Sequence, residues 1–264
     1  MAKKELRLLI AGIIVLITGC QPAHTTTPTP IIVPTKNPAI TETLWPTITA
    51  ALTATPIPAT PTVPPHDLLN EYFDHVTIKS IDQFENLKLW QIWDEESVSL
   101  NEGEVTLVGR PNWNSALVYN IPISENQGIM LTYKALNQLD SKAEFVFISG
   151  TYQTDDFRQF GIYNGPAPKA DLYQGKVGLG FNYLHGNYTI RKDTWQTLIM
   201  SVDDQGNFLA IIFNPEDPEQ RYVYSEKPGE KWKGHDWEFR ITVTDPETIV
   251  INRFQKFEFS GSQN

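Results

Sequence analysis

The sequence predicts an all-β fold, a sandwich or a barrel, on three observations. Beyond about residue 76, apolar and polar residues alternate in about a dozen short runs, the period of half-buried strands. Turn residues punctuate the runs: Asn101-Glu102-Gly103, His185-Gly186-Asn187, Asp204-Gln205-Gly206-Asn207 and Asp245-Pro246-Glu247. Helical periodicity is almost confined to one short segment.

In chain order, residues 67–74 (DLLNEYFD) have the spacing of two helical turns. Candidate strands follow at 98–100, 104–108, 116–119, 129–135, 144–149 and 158–163. Further candidates are 177–184, 188–191, 195–202, 208–213, 221–224, 237–243 and 249–259, the last with a break. In 237–243, Trp237, Phe239, Ile241 and Val243 are expected to face the core. Residues 208–213 are apolar on both faces, as in a central strand. Glu216-Asp217-Pro218-Glu219 reads as a loop, because Pro218 lacks a ladder donor.

The first 65 residues have a different composition. Lys3, Lys4 and Arg7 precede an apolar run over residues 8–18. That run has the character of a secretory h-region, and is too short for a ~30 Å hydrocarbon core. It ends in Ile17-Thr18-Gly19-Cys20, which resembles a bacterial lipobox. The resemblance implies cleavage after residue 19, lipidation of Cys20 and an exported chain held at the membrane. Acyl chains bury methylenes at ~0.8 kcal/mol each, so two or three anchor stably. Residues 20–65 are rich in Thr and Pro, and fit an extended spacer. At ~3.1 Å per residue it would reach on the order of 100 Å, either bare or O-glycosylated. Residues 66–264 then form the β domain.

Net charge is −10, from 21 Lys and Arg against 31 Asp and Glu. The basic N-terminus leaves the rest more acidic still, which disfavours nucleic acid as a partner. Cys20 is the only cysteine, so no internal disulfide forms.

Residues 82–90 (DQFENLKLW) place an acidic residue, an aromatic and a tryptophan at the entry to the first strands. Residues 195–208 run from Trp195 to a Val202-Asp203-Asp204-Gln205-Gly206 turn. Both resemble concanavalin A-like lectin/glucanase domains, over about residues 76–260. The resemblance implies a two-sheet jelly-roll sandwich, a fold that hosts lectins, glycosidases and adhesion modules.

The glucanases of that family carry Glu-x-Asp-x-x-Glu on one strand, and no strand here has it. His24, His66, His75, His185 and His235 lack metal-ligand spacing. No phosphate loop or nucleophile elbow occurs, and no pattern calls for a cofactor. Asp203, Asp204 and Asn207 could ligate calcium, or form an ordinary Asx turn.

One polar sheet face is a candidate binding surface. Gln159 and Tyr163 share a side of their strand. Asn182 is expected beside them, opposite an inward-facing Val177, Leu179, Phe181 and Tyr183, and Arg191 is expected to join that side. Trp113 and Tyr173 could rim it. Rings that stack on sugars, with amides and a guanidinium that bond hydroxyls, suit a glycan. The plain alternative is a solvated sheet face. The function expected is a membrane-anchored, non-catalytic binding module, most simply for carbohydrate. A glycosidase with dispersed carboxylates and an envelope or adhesion protein with a protein partner are the alternatives.

Overall fold

A computed structural model describes residues 65–261. The lipobox, Cys20 and nearly all of the Thr/Pro segment lie outside the described residues. Helix α1 spans Pro65–Tyr72 and is followed by sixteen strands. These are β1 (Thr77–Asp82), β2 (Trp90–Ile92), β3 (Val98–Asn101), β4 (Glu104–Val108), β5 (Ser115–Tyr119), β6 (Gln127–Ala135), β7 (Ala143–Ser149) and β8 (Arg158–Asn164). They continue as β9 (Lys169–Gln174), β10 (Val177–Tyr183), β11 (His185–Gly186), β12 (Gln196–Val202), β13 (Phe208–Asn214), β14 (Asp217–Glu226), β15 (Glu238–Val243) and β16 (Thr248–Glu258).

The strands form two sheets whose paired strands run antiparallel. A nine-stranded sheet runs β11-β14-β13-β12-β6-β16-β4-β3, with β1 also on β16. A seven-stranded sheet runs β10-β9-β8-β7-β15-β5-β2. Their inner faces enclose Leu131, Phe145, Phe147, Phe160, Met200, Phe208, Phe239, Ile241 and Phe254, among others. Trp237, Phe239, Ile241 and Val243 are fully buried, as their alternation requires. The described residues thus form the two-sheet jelly-roll sandwich expected.

Strand β16 serves three neighbours. Its first half pairs β4, its second half pairs β1, and β6 follows its length. A bulge between Ile251 and Arg253 bends it there, which is the break the sequence implies.

Helix α1 adds a partial third layer. Leu68, Leu69 and Phe73 pack on Met130, Ile199, Ile211, Phe213 and Phe257 from the outer face of the nine-stranded sheet. That explains why β12 and β13 are apolar on both faces. Arg221 Nη1 forms an ion pair with Glu71 Oε2 at 2.7 Å, and its guanidinium lies 5.3 Å from the Tyr72 ring centre.

Three local expectations are corrected. Residues 188–191 form no strand: Tyr188 and Ile190 plug the core while Thr189 and Arg191 face out, but no ladder engages them. Asp217 to Glu219 begin β14 instead of a loop. Pro218 is tolerated there because the long strand β13 covers only one side of β14. Val177, Leu179, Phe181 and Tyr183 are 53–61% exposed, because β10 is an edge strand.

Candidate functional site

Three neighbouring strands of the seven-stranded sheet build the candidate site. Period-two alternation points Phe145 and Phe147 of β7, Phe160 and Ile162 of β8, and Ala170 and Leu172 of β9 into the core. The same alternation turns Glu144, Val146 and Ile148, then Gln159, Gly161 and Tyr163, then Lys169, Asp171 and Tyr173, to the outer face. Register aligns them in rows across the strands: Glu144–Tyr163–Lys169, Val146–Gly161–Asp171 and Ile148–Gln159–Tyr173.

Gly161 is the gap at the centre. A Cβ there would lie 2.3 Å from Asp171 Oδ1 and 2.8 Å from Glu144 Oε1. Two carboxylates therefore converge over one missing side chain. Gln159 Nε2 donates to Glu144 Oε1 at 3.0 Å, and Thr242 Oγ1 donates to Glu144 Oε2 at 3.4 Å. Tyr163 Oη donates to Asp171 Oδ2 at 3.4 Å. Asp171 is fully buried, and its Oδ1 has no hydrogen-bond donor.

Burial raises both carboxyls, Glu144 to about 8 and Asp171 to about 6. The negative charge of Asp171 is the second cause for Glu144. The Tyr163 phenol is also pushed up, by burial first and then by Glu144 and Asp171, so it stays a donor.

Aromatic rings flank the pair. The Tyr163 ring lies 6.3 Å from Trp113 and 5.7 Å from Phe181, centre to centre. Trp113 sits in the turn Pro111–Trp113 before β5, where Asn112 and Trp113 have φ of 61° and 59°. Left-handed backbone is costly for so large a residue, and such strain gathers where a side chain must be aimed. Phe181 and Tyr183, 59% and 58% exposed, continue the aromatic line onto β10.

The structure brings Gln159, Tyr163, Trp113 and Tyr173 to this face, and leaves out Asn182 and Arg191. Two features account for Asn182. Strand β9 lies between β8 and β10, and β10 is bulged between Gly178 and Gly180, with Gly180 at φ 119°. One extra residue inverts the alternation. Phe181 opposes Asp171 on the outer face, while Asn182 Nδ2 donates at 3.0 Å to Oη of the buried Tyr224 behind the sheet. Arg191 lies elsewhere, in an open cleft of about 410 Å³ with Tyr188, Thr194, Asn214 and Asp217.

Sequence reasoning missed Glu144, Asp171, Phe181 and Tyr183. Glu144 carried a signal: a lone carboxylate in the apolar run Ala143–Ser149, on the side opposite Phe145 and Phe147. Asp171 carried less, since β9 has only two inward apolar residues to set its phase.

The other acidic candidate is a turn. Asp203 Oδ1 accepts from the backbone of Gln205 and Asn207, both at 2.8 Å, and Oδ2 accepts from Asn207 Nδ2 at 2.9 Å. Among the described residues, no group of three or more His, Cys, Asp or Glu is placed to hold a metal ion. No helix among them is long and apolar enough to cross a membrane.

No protein-family model and no curated protein matches the chain. Solved structures do match in fold. Basic winged bean lectin, determined with Tn-antigen, superposes with a TM-score of 0.51 at 10% identity, over 70% of this chain and 100% of the lectin. A Shewanella oneidensis MR-1 protein of unknown function gives 0.51 at 10% identity, over 76% of this chain and 96% of its own. At such identity the likeness is one of fold: a concanavalin A-like jelly-roll sandwich.

Proposed function

We propose that this chain is a non-catalytic carbohydrate-binding module, lipid-anchored through Cys20 and displayed outside a bacterial cell, with the outer face of the seven-stranded sheet as its ligand surface. One observation carries the binding reading. Trp113, Tyr163, Tyr173, Phe181 and Tyr183 line that face beside the polar side chains of Gln159, Glu144 and Lys169. Sugar rings stack on aromatic faces, and their hydroxyls bond amides, carboxylates and ammonium groups. The winged bean lectin, which shares the fold, was determined with Tn-antigen. Anchoring rests on the Ile17-Thr18-Gly19-Cys20 run alone.

A glycosidase is the second reading, favoured by the Glu144–Asp171 pair. Glycosidases flank the scissile bond with two carboxyl groups, each of which must reach the sugar. Asp171 is 0% exposed beneath this face, so the pair suits a supporting role better than attack on a glycosidic bond. The test is an array of gluco-, manno- and galacto-oligosaccharides, with an assay of released reducing sugar on whatever binds. Retention without release is expected. Steady release of reducing sugar would establish the enzyme instead. Silence in both would leave a protein partner.

A further inference from the structure

We infer that Glu144 and Asp171 share one proton, and that this proton holds Tyr163 and Gln159 in the pose that binds ligand, so binding is lost when the proton leaves. The binding clause rests on the glycan reading above. The proton and the pose rest on the geometry alone.

Asp171 Oδ1 is buried without a hydrogen-bond partner, and it converges with Glu144 Oε1 over Gly161. Leaving a buried acceptor without a donor forfeits its hydration with nothing in return, so the arrangement calls for a hydrogen. A proton on Glu144 supplies it. The Glu144 O–H then faces Asp171 Oδ1, while Gln159 still donates to Glu144 and Tyr163 to Asp171. With both carboxyls ionised, two negative charges would face one another inside the sheet surface.

The surrounding charges relieve that repulsion only weakly. Strand β8 brings Tyr163, β9 brings Lys169 and Tyr173, β10 brings Tyr183, and β15 brings Glu238 and Arg240. Lys169 Nζ bonds Asp140 at 2.6 Å and faces the Tyr183 ring. Arg240 Nε bonds Glu238 at 3.0 Å, and its guanidinium lies 4.3 Å from the Trp93 ring centre. Both cations are engaged elsewhere, and Arg240 is the weakest of the influences on Glu144. When the proton passes to solvent, the two carboxylates must separate. Tyr163 and Gln159 each reach toward both carboxyls, so separation takes a partner from each donor and moves it.

The test uses the full chain in detergent, labelled with ¹³C at the Asp and Glu carboxyls and in the Tyr rings. Glu144→Gln and Asp171→Asn assign the signals. Titration from pH 4 to 10 should show a coupled pair with steps near 6 and 8, and the Tyr163 ring signal should move with the upper step. Oligosaccharide-array binding should weaken about tenfold at pH 9, one unit above that step, as the competent fraction falls to about a tenth. Glu144→Gln should abolish the movement of Tyr163, and Asp171→Asn, if it folds, should do the same. Separate titration of both carboxyls below pH 5, or a Tyr163 signal that ignores the upper step, would overturn the inference. Binding that stays constant while Tyr163 moves would overturn its functional half. Coupled titration with no array signal at any pH would leave the shared proton standing and sink the glycan reading alone.

Discussion

At the scale of residues, burial decides what each acidic group does. Asp203 ties its own turn, accepting from two backbone N–H groups and one amide. Glu247, fully buried, accepts from the backbone of Asn137, Leu139 and Thr248. Glu144 and Asp171 instead oppose each other. Burial, then Asp171, raises Glu144 in the folded chain from its ordinary 4.5 to about 8. Above about pH 4.5 the unfolded chain has released a proton that the folded chain keeps. The stability this gives is fully present below that pH and is lost as pH rises through about 8. Urea midpoints should therefore fall from pH 5 to pH 9, and fall less in Glu144→Gln. An equal fall in both would show that the pair does not drive the pH dependence. The Asp203 turn was readable in the sequence, because an Asx turn is local. The carboxyl pair was not, because Glu144 and Asp171 meet only once β8 lies between them.

At the scale of elements, the legible parts are those whose alternation includes several large apolar residues. Strands β4, β6, β12, β13 and β15 fall close to where their patterns put them. Strands β1 and β9 escaped notice because each offers only two aliphatic residues in a run of six. Residues 188–191 show the converse error. Alternation reports which side chains are buried, and says nothing about whether a backbone partner exists. The bulge in β10 is the costliest omission, since one glycine-permitted residue exchanges Asn182 for Phe181 on the candidate face. Helix α1 was legible in place, though its role is set by the apolar outer sides of β12 and β13. Leu69 is fully buried there. Leu69→Ala should cost about 2–5 kcal/mol in urea unfolding and leave ligand binding at the seven-stranded sheet unchanged. A cost below about 1 kcal/mol would mean that α1 contributes little to the domain.

At the scale of the whole molecule, the proposed reading joins a membrane anchor to a binding face through a Thr/Pro segment. A net charge of −10 gives the chain no electrostatic attraction to anionic lipid, so in the proposed reading membrane contact falls to acyl chains on Cys20. A palmitate analogue fed to cells should label the chain and drive it into the detergent phase. Cys20→Ser should lose both properties, and equal labelling of that variant would remove the anchor from the account. The central claim concerns the other end of the molecule, where Tyr163 stands between Trp113 and Phe181 over the carboxyl pair. Its most direct test is oligosaccharide-array binding by the full chain and by Tyr163→Ala, side by side at pH 6. The account expects the parent to bind and the variant to lose about 1–3 kcal/mol of affinity, the cost of removing an aromatic anchor, while still unfolding cooperatively. A variant that binds as tightly as the parent would contradict it.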